Sequence, residues 1–200
     1  MPANLRQKLF VEEQEELHWP NSVVPYMFSR KHSSRDINAI RRAMKEIERN
    51  SCFRFVGRHA GQRDYIYFDP GNGCFSSVGR VGGRQQLSLS SECITSYVIV
   101  HELLHALGAY HEHQRPDRNQ YVTIDYRNIE TGWEWVYAIE SHHLDSNKYP
   151  YDVNSIMNYY SNAFGKPDSR GYPRTTGQPA PLNSRMSQED IKKLNLLGKC

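Results

Sequence analysis

Three histidines and a glutamate in the run HELLHALGAYH, from His101 to His111, constrain this chain more than anything else in it. On an α-helix, His101 and His105 stand four positions apart, so their imidazoles leave one face about a turn from each other and can share a metal. Gly108 can adopt the left-handed backbone that ends a helix, letting the chain reverse and return His111 to the same metal. Three neutral nitrogens leave zinc a fourth position open to water. That is the arrangement of a catalytic site, whereas structural zinc is enclosed by four protein ligands. Glu102 falls beside the opening. A lone HExxH arises by accident on many helices, but the full set of three His, one Glu and one Gly at this spacing is far rarer. One Zn2+ per chain, held by His101, His105 and His111, is the expected cofactor.

At 200 residues the chain suffices for one sizeable domain, divisible into two lobes by a cleft. Its net charge of +3 and pI near 8.6 are too mild, and its basic residues too dispersed along the sequence, to argue for a nucleic-acid partner. No run approaches the length of a membrane-spanning helix. The opening residues, MPANLRQKLF, lack the apolar core of a secretory signal, so the sequence reads as a processed or truncated form. Cys52, Cys74, Cys93 and Cys200 allow three pairings if all are bridged. None forms a CxxC pair and none lies in the metal motif, which favours disulfides over a zinc cluster and, with them, secretion. No N-x-Ser/Thr glycosylation signal, low-complexity tract or internal repeat is found.

Val23, Val24, Tyr26 and Phe28 form a β-prone run, after which Ser33 and Ser34 can cap a helix. From Asp36 to Arg49, Ile37, Ile40, Met44 and Ile47 recur at helical spacing and mark a buried stripe. Cys52 to Val56 and Tyr65 to Phe68 read as strands, and glycines at 71, 73, 79, 82 and 83 predict a loop-rich stretch. The alternation from Gln86 to Ser90 suits a half-buried strand shortly before the zinc helix, expected from Thr95 to about Leu107. At a sheet edge, Gln86, Leu87, Ser88 and Leu89 would have backbone groups free to hold an extended peptide across the metal. The aromatic residues Trp133, Trp135, Tyr137, Tyr149 and Tyr151 read as packing, and a last helix is expected from Ser187.

Extended to HELLHALGAYHEHQRPDRNQY, from His101 to Tyr121, the motif resembles the signature of the astacin family of zinc endopeptidases. Other metzincins share the three-histidine core. Glu112 directly after the third histidine and the Arg115, Asp117 and Arg118 pattern are typical of astacins. Ser155-Ile156-Met157-Asn158-Tyr159 resembles the family's Met-turn, which places a methionine beneath the zinc and a tyrosine on its far side. Trp19 to Tyr26, Cys52 to Val56, Gly73 to Leu89 and Tyr121 to Ile129 extend the resemblance over about nine-tenths of the chain. Two positions depart from it: the family usually has His at Asn158, and Asn119 replaces the last acidic residue of the extended motif.

The resemblance implies an α+β metzincin fold of two lobes flanking an active-site cleft. A twisted sheet and two helices would form the upper lobe, about 9–110, and a largely irregular lobe with a terminal helix the lower, about 111–200. It implies Cys52 to Cys200 and Cys74 to Cys93 as the disulfides. Residues 1–8 would be a pro-segment remnant or an extension, with the mature N-terminus near Leu9 or Phe10, buried and linked through water to Glu112. No Asp-containing inhibitory motif of the kind family pro-segments use is present. The implied activity is that of a secreted endopeptidase acting on proteins or peptides, with a zinc-activated water and Glu102 as general base. Tyr159 would ligate zinc at rest and swing away to stabilise the oxyanion, while Met157 shapes the apolar floor. The family often cleaves before acidic residues, for which Lys166, Arg174 and Arg185 are candidate pocket cations. The competing class is a catalytically silent, zinc-stabilised binding or toxin module. Loss of Glu102 or a histidine would mark it, and all four are present.

Overall fold

The computed structural model describes residues 17–140, 149–161, 163–166 and 183–200. Its regular elements are β1 (Val23–Phe28), α1 (Ser34–Asn50), β2 (Arg54–Gly57), β3 (Tyr65–Asp69), β4 (Cys74–Ser76), β5 (Arg84–Leu89), α2 (Ser96–Ala106) and α3 (Gln188–Leu197), an α+β set. The described residues divide into two compact units, one running up to Ala109 together with Leu194–Cys200, the other Tyr110–Lys193.

The first unit holds the sheet, in the order β2-β1-β3-β5-β4, with β4 antiparallel to β5 and the other neighbours parallel. Helix α1 starts where Ser33 closes a capping box. The Ser33 hydroxyl accepts from the Asp36 amide at 3.2 Å and the Asp36 carboxylate accepts from the Ser33 amide at 3.0 Å. Its apolar stripe buries Ile40, Ala43, Met44 and Ile47, and each fully buried Ile contributes roughly 1.5–3 kcal/mol relative to exposure. The helix ends with its last carbonyls occupied: Ser51 Oγ donates to Ile47 O and Asn50 Nδ2 to Glu46 O, both at 2.8 Å. Two disulfides close this unit, Cys52 to Cys200 and Cys74 to Cys93.

The strand expected at a sheet edge is not at one. β5 is flanked by β3 on one side and β4 on the other, so its backbone groups are spent within the sheet. Nor is it half-buried: Gln85, Leu87, Ser88 and Leu89 are all buried, and Ser88 satisfies its hydroxyl by donating to Gly73 O at 3.0 Å. The edge belongs to β4, inside the stretch expected to be loop. At three residues it is too short to show periodicity, and the adjacent glycines mask it further.

Among its described residues the second unit is largely irregular, with short 3-10 turns at Glu112–Gln114, Arg118–Gln120, Tyr126–Asn128 and Glu134–Tyr137. Irregular chain leaves carbonyls unpaired, and here two buried arginines collect them. Arg115, 0 % exposed, donates to Tyr149 O and Pro150 O as well as to Glu112 and Asp117. Arg118 donates to His113 O, Tyr137 O and Tyr126 Oη. The Arg and Asp pattern after the third histidine is thus the scaffold of this unit. A small apolar cluster of Ile129, Val136 and Tyr137, with Ile124, Tyr159 and Phe164 against it, completes the packing.

Candidate metal centre

Helix α2 is apolar on more than one face, with Ile99, Val100, Leu103, Leu104 and Ala106 buried, so it lies within its unit and its histidines and glutamate are held by packing. Its C-terminus is stopped by four bonds to its last carbonyls. Ala109 N donates to Leu104 O, Gly79 N and Gly108 N to His105 O, and Trp19 Nε1 to Ala106 O, all between 2.8 and 2.9 Å. Gly108 takes φ +112°, a backbone that disfavours side chains, and a Cβ there would sit 3.2 Å from Leu197 Cδ2. The chain turns at this point, and one nitrogen from each of His101, His105 and His111 comes within 4.8 Å of the others.

The donor chemistry fits zinc. His105 Nδ1 lies 2.7 Å from Ala109 O and His111 Nδ1 lies 3.0 Å from Gln114 Oε1. Both acceptors are oxygens, so in each ring Nδ1 carries the proton and Nε2 is the lone-pair nitrogen, the orientation metal-binding histidines need. The Nε2 atoms of His101 and His105 are 3.1 Å apart, near the ~3.3 Å that two ligands at 2.0–2.1 Å around a tetrahedral ion require. Gln114 was not legible as a participant; its only sequence signal is a polar residue three positions after a ligand.

Glu102 is 6 % exposed, and burial pushes its carboxyl up to about 8. Tyr159 is half-buried, with its ring 4.6 Å from that of His111 and 4.1 Å from that of His113. His113 escaped the sequence reading. It is buried, donates from its ring to Val136 O at 3.1 Å, and its ring lies 5.0 Å from that of His111 and 5.3 Å from that of Tyr137. Met157 is buried, and its carbonyl accepts from Glu112 N at 3.0 Å, which ties the Met-turn to the residue after the third histidine. Asn158 donates to Asp152 O and accepts from Tyr151 Oη, so the substituted position is part of the hydrogen-bonded turn. Asn119, the other departure, is exposed and accepts from Arg118 Nε at 3.2 Å.

Glu112, 2 % exposed, accepts three hydrogen bonds from inside its own unit. Oε1 accepts from Arg115 Nη1 at 3.0 Å and Asp152 N at 2.9 Å, and Oε2 from Lys193 Nζ at 2.6 Å. The N-terminal segment that the resemblance ties to it, including residues 1–8, Leu9 and Phe10, lies outside the described residues, as does Arg174. Of the other candidate pocket cations, Lys166 donates to Arg127 O at 3.1 Å and Arg185 is exposed.

Helix-borne histidines four apart, a third beyond a glycine turn, and a buried carboxyl next to the first define the metal centre of a zinc peptidase. The sequence profile of the Astacin peptidase family matches residues 11–198. The chain belongs to the astacin family of zinc metalloendopeptidases. It is 40 % identical over 192 residues to zinc metalloproteinase nas-12 of Caenorhabditis elegans, covering 91 % of this chain and 49 % of that protein. It is 36 % identical over 214 residues to blastula protease 10 of Paracentrotus lividus, covering 100 % of this chain and 35 % of that protein. The chain thus spans about half, or less, of these relatives. Among solved structures, high choriolytic enzyme 1, a hatching enzyme zinc-protease from the medaka Oryzias latipes, superposes with a TM-score of 0.82. That match has 34 % identity and covers 92 % of this chain and 93 % of the other. Myroilysin, at 20 % identity and a TM-score of 0.64, shares the fold.

Proposed function

We propose that this chain is the catalytic domain of a secreted endopeptidase that hydrolyses peptide bonds in proteins or peptides, with Glu102 as general base. The observation that carries the reading is the convergence of three imidazole nitrogens, with Glu102, the residue after the first of these histidines, buried on the same helix. Bound by His101, His105 and His111, zinc supplies Lewis acidity, polarising a carbonyl and lowering the pKa of water toward 7. Glu102 takes the proton of the attacking water and passes it to the leaving amine, work worth roughly a hundredfold to ten-thousandfold in rate. Tyr159, beside His111, is assigned to the metal at rest and to the oxyanion in the transition state. Met157 is assigned to the apolar floor and Glu112 to anchoring the N-terminus.

Substrate is held by the outer edge of β4. Gly73 O accepts from Ser90 N, so in this antiparallel ladder the Phe75 and Ser88 pair is hydrogen-bonded inward while Cys74 and Ser76 direct their backbone groups outward. An extended peptide can pair with them as a sixth strand. Secretion is supported by two disulfides that close this unit, and no described helix is long and apolar enough to cross a membrane.

The test is digestion of an unstructured protein by zinc-loaded enzyme, by enzyme stripped with a chelator, and by stripped enzyme given zinc again. Cleavage that disappears and returns with the metal supports the reading. Zinc-bound, folded protein that cleaves nothing would assign the chain to the silent binding class.

A further inference from the structure

Charge is distributed very unevenly in this chain. Between Arg30 and Arg63 fall ten of its 25 Lys and Arg but only three of its 22 Asp and Glu, so this stretch carries +7 and the rest of the chain −4. The basic residues are therefore less dispersed than the chain-wide charge suggests, and α1 aligns four of those in this stretch. At 100° per residue, Arg35, Arg42, Lys45 and Arg49 fall within an arc of about 80°, opposite the buried Ile40 and Ile47, and span about 21 Å along the axis. All four are exposed, and among the described residues no Lys or Arg from Arg30 to Arg63 forms a salt bridge.

The stripe borders a groove of about 450 Å³, lined by Arg41, Arg42, Lys45 and Glu48 from α1 and by Tyr26 and Phe55 from the sheet. That volume is within the range of sites that take a small polar unit. Cations at one wall and aromatic rings at another suit a ring bearing an anionic group.

We propose that this face of α1, with its groove, is a docking site for a linear sulfated polysaccharide, separate from the metal centre. A stiff polyanion with charge repeated along its length matches a straight row of guanidinium and ammonium groups. An acidic peptide fits less well. The neighbouring sheet edge is β2, whose Phe55 amide is already closed by Glu48 Oε1 at 2.9 Å, so a peptide strand finds its first backbone donor taken. The choice of a glycan over a nucleic acid rests on the extracellular placement proposed above.

The experiment uses the whole chain, folded and zinc-loaded, with heparin as the probe at roughly 0.15 M salt. Wild type should bind, and R42A/K45A/R49A should bind at least tenfold more weakly. Its slope of log affinity against log salt should fall by about two to three, since each lost contact releases fewer counterions. R127A, which removes an exposed arginine of the second unit, should bind like wild type. The triple variant should cleave a short peptide at the wild-type rate. Absence of heparin binding, equal loss in R127A, or tighter binding of a glutamate-rich peptide or a DNA duplex of matched charge would overturn the proposal. Heparin binding by a chain that cleaves no peptide would sink the peptidase reading and leave this one standing.

Discussion

Replacing Lys193 with methionine removes the ammonium that faces Glu112 while keeping the bulk of the side chain. The two groups are 2.6 Å apart with side chains 8 % and 2 % exposed, so solvent screens the pair little. Removing one partner of a buried pair costs about 3–5 kcal/mol, because the other charge stays buried. Here Oε1 keeps Arg115 Nη1 and the Asp152 amide, so the lower end, about 3 kcal/mol, is expected. For a chain of this size that lowers Tm by roughly 6–12 °C. Denaturant unfolding of the zinc-loaded protein measures it, and a cycle with Glu112→Gln isolates the pair. The double variant should be less damaged than the two single losses together, by about 2 kcal/mol. Since Glu112 directly follows His111, the single variant should also yield zinc more readily to a chelator. A loss below about 0.5 kcal/mol, the size expected of an exposed pair, or strict additivity in the cycle, would refute the reasoning.

Tyr159→Phe should keep stoichiometric zinc and lose about a hundredfold or more in kcat, as removal of an oxyanion donor does; unchanged kcat would take Tyr159 out of the chemistry. Gly108→Ala forces a side chain onto a backbone at φ +112° and against Leu197, so it should cost about 1–3 kcal/mol in thermal unfolding and weaken zinc retention. Equal stability and equal retention would show that the turn does not depend on glycine. His32 is buried against Phe28, and burial holds its pKa below the usual 6.5. The unfolded chain therefore binds the proton more readily, so the stability this residue contributes is complete above pH 6.5 and is lost as pH falls toward the depressed value. The urea midpoint of wild type should drop between about pH 7.5 and pH 5, and His32→Phe should flatten that drop; parallel curves for the two proteins would exclude His32 as its source.

The parts of the molecule that could be read in advance are those whose residues repeat with a period. Ile37, Ile40, Met44 and Ile47 mark α1, Ser33 caps it as expected, and the spacing of His101 and His105 announces both helix and metal. Structure without a period stayed hidden. Three-residue β4 leaves no alternation, and because it covers β5 the neighbouring Ser88 is buried where a surface residue was expected. In the second unit the organising groups are Arg115, Arg118 and Lys193, residue types that sequence reasoning assigns to solvent by default. Their burial depends on carboxylates and carbonyls far away in the chain, such as Glu112 for Lys193 and Tyr149 O for Arg115. The site shows the same division. Its three histidines follow from spacing alone, whereas Gln114 and His113, which lie against His111, are recognisable only once the turn after Gly108 has been built.

The most direct test of the central claim is cleavage of a mixed peptide library, read by mass spectrometry, by zinc-loaded wild type beside Glu102→Ala, with zinc content measured in both. The account predicts one zinc per chain in each protein, internal peptide-bond cleavage by wild type, and a rate lower by about a hundredfold to ten-thousandfold in the variant. Equal cleavage by two proteins with equal zinc would contradict the role given to Glu102, and no cleavage by either would contradict the assignment of this fold and site to peptide hydrolysis.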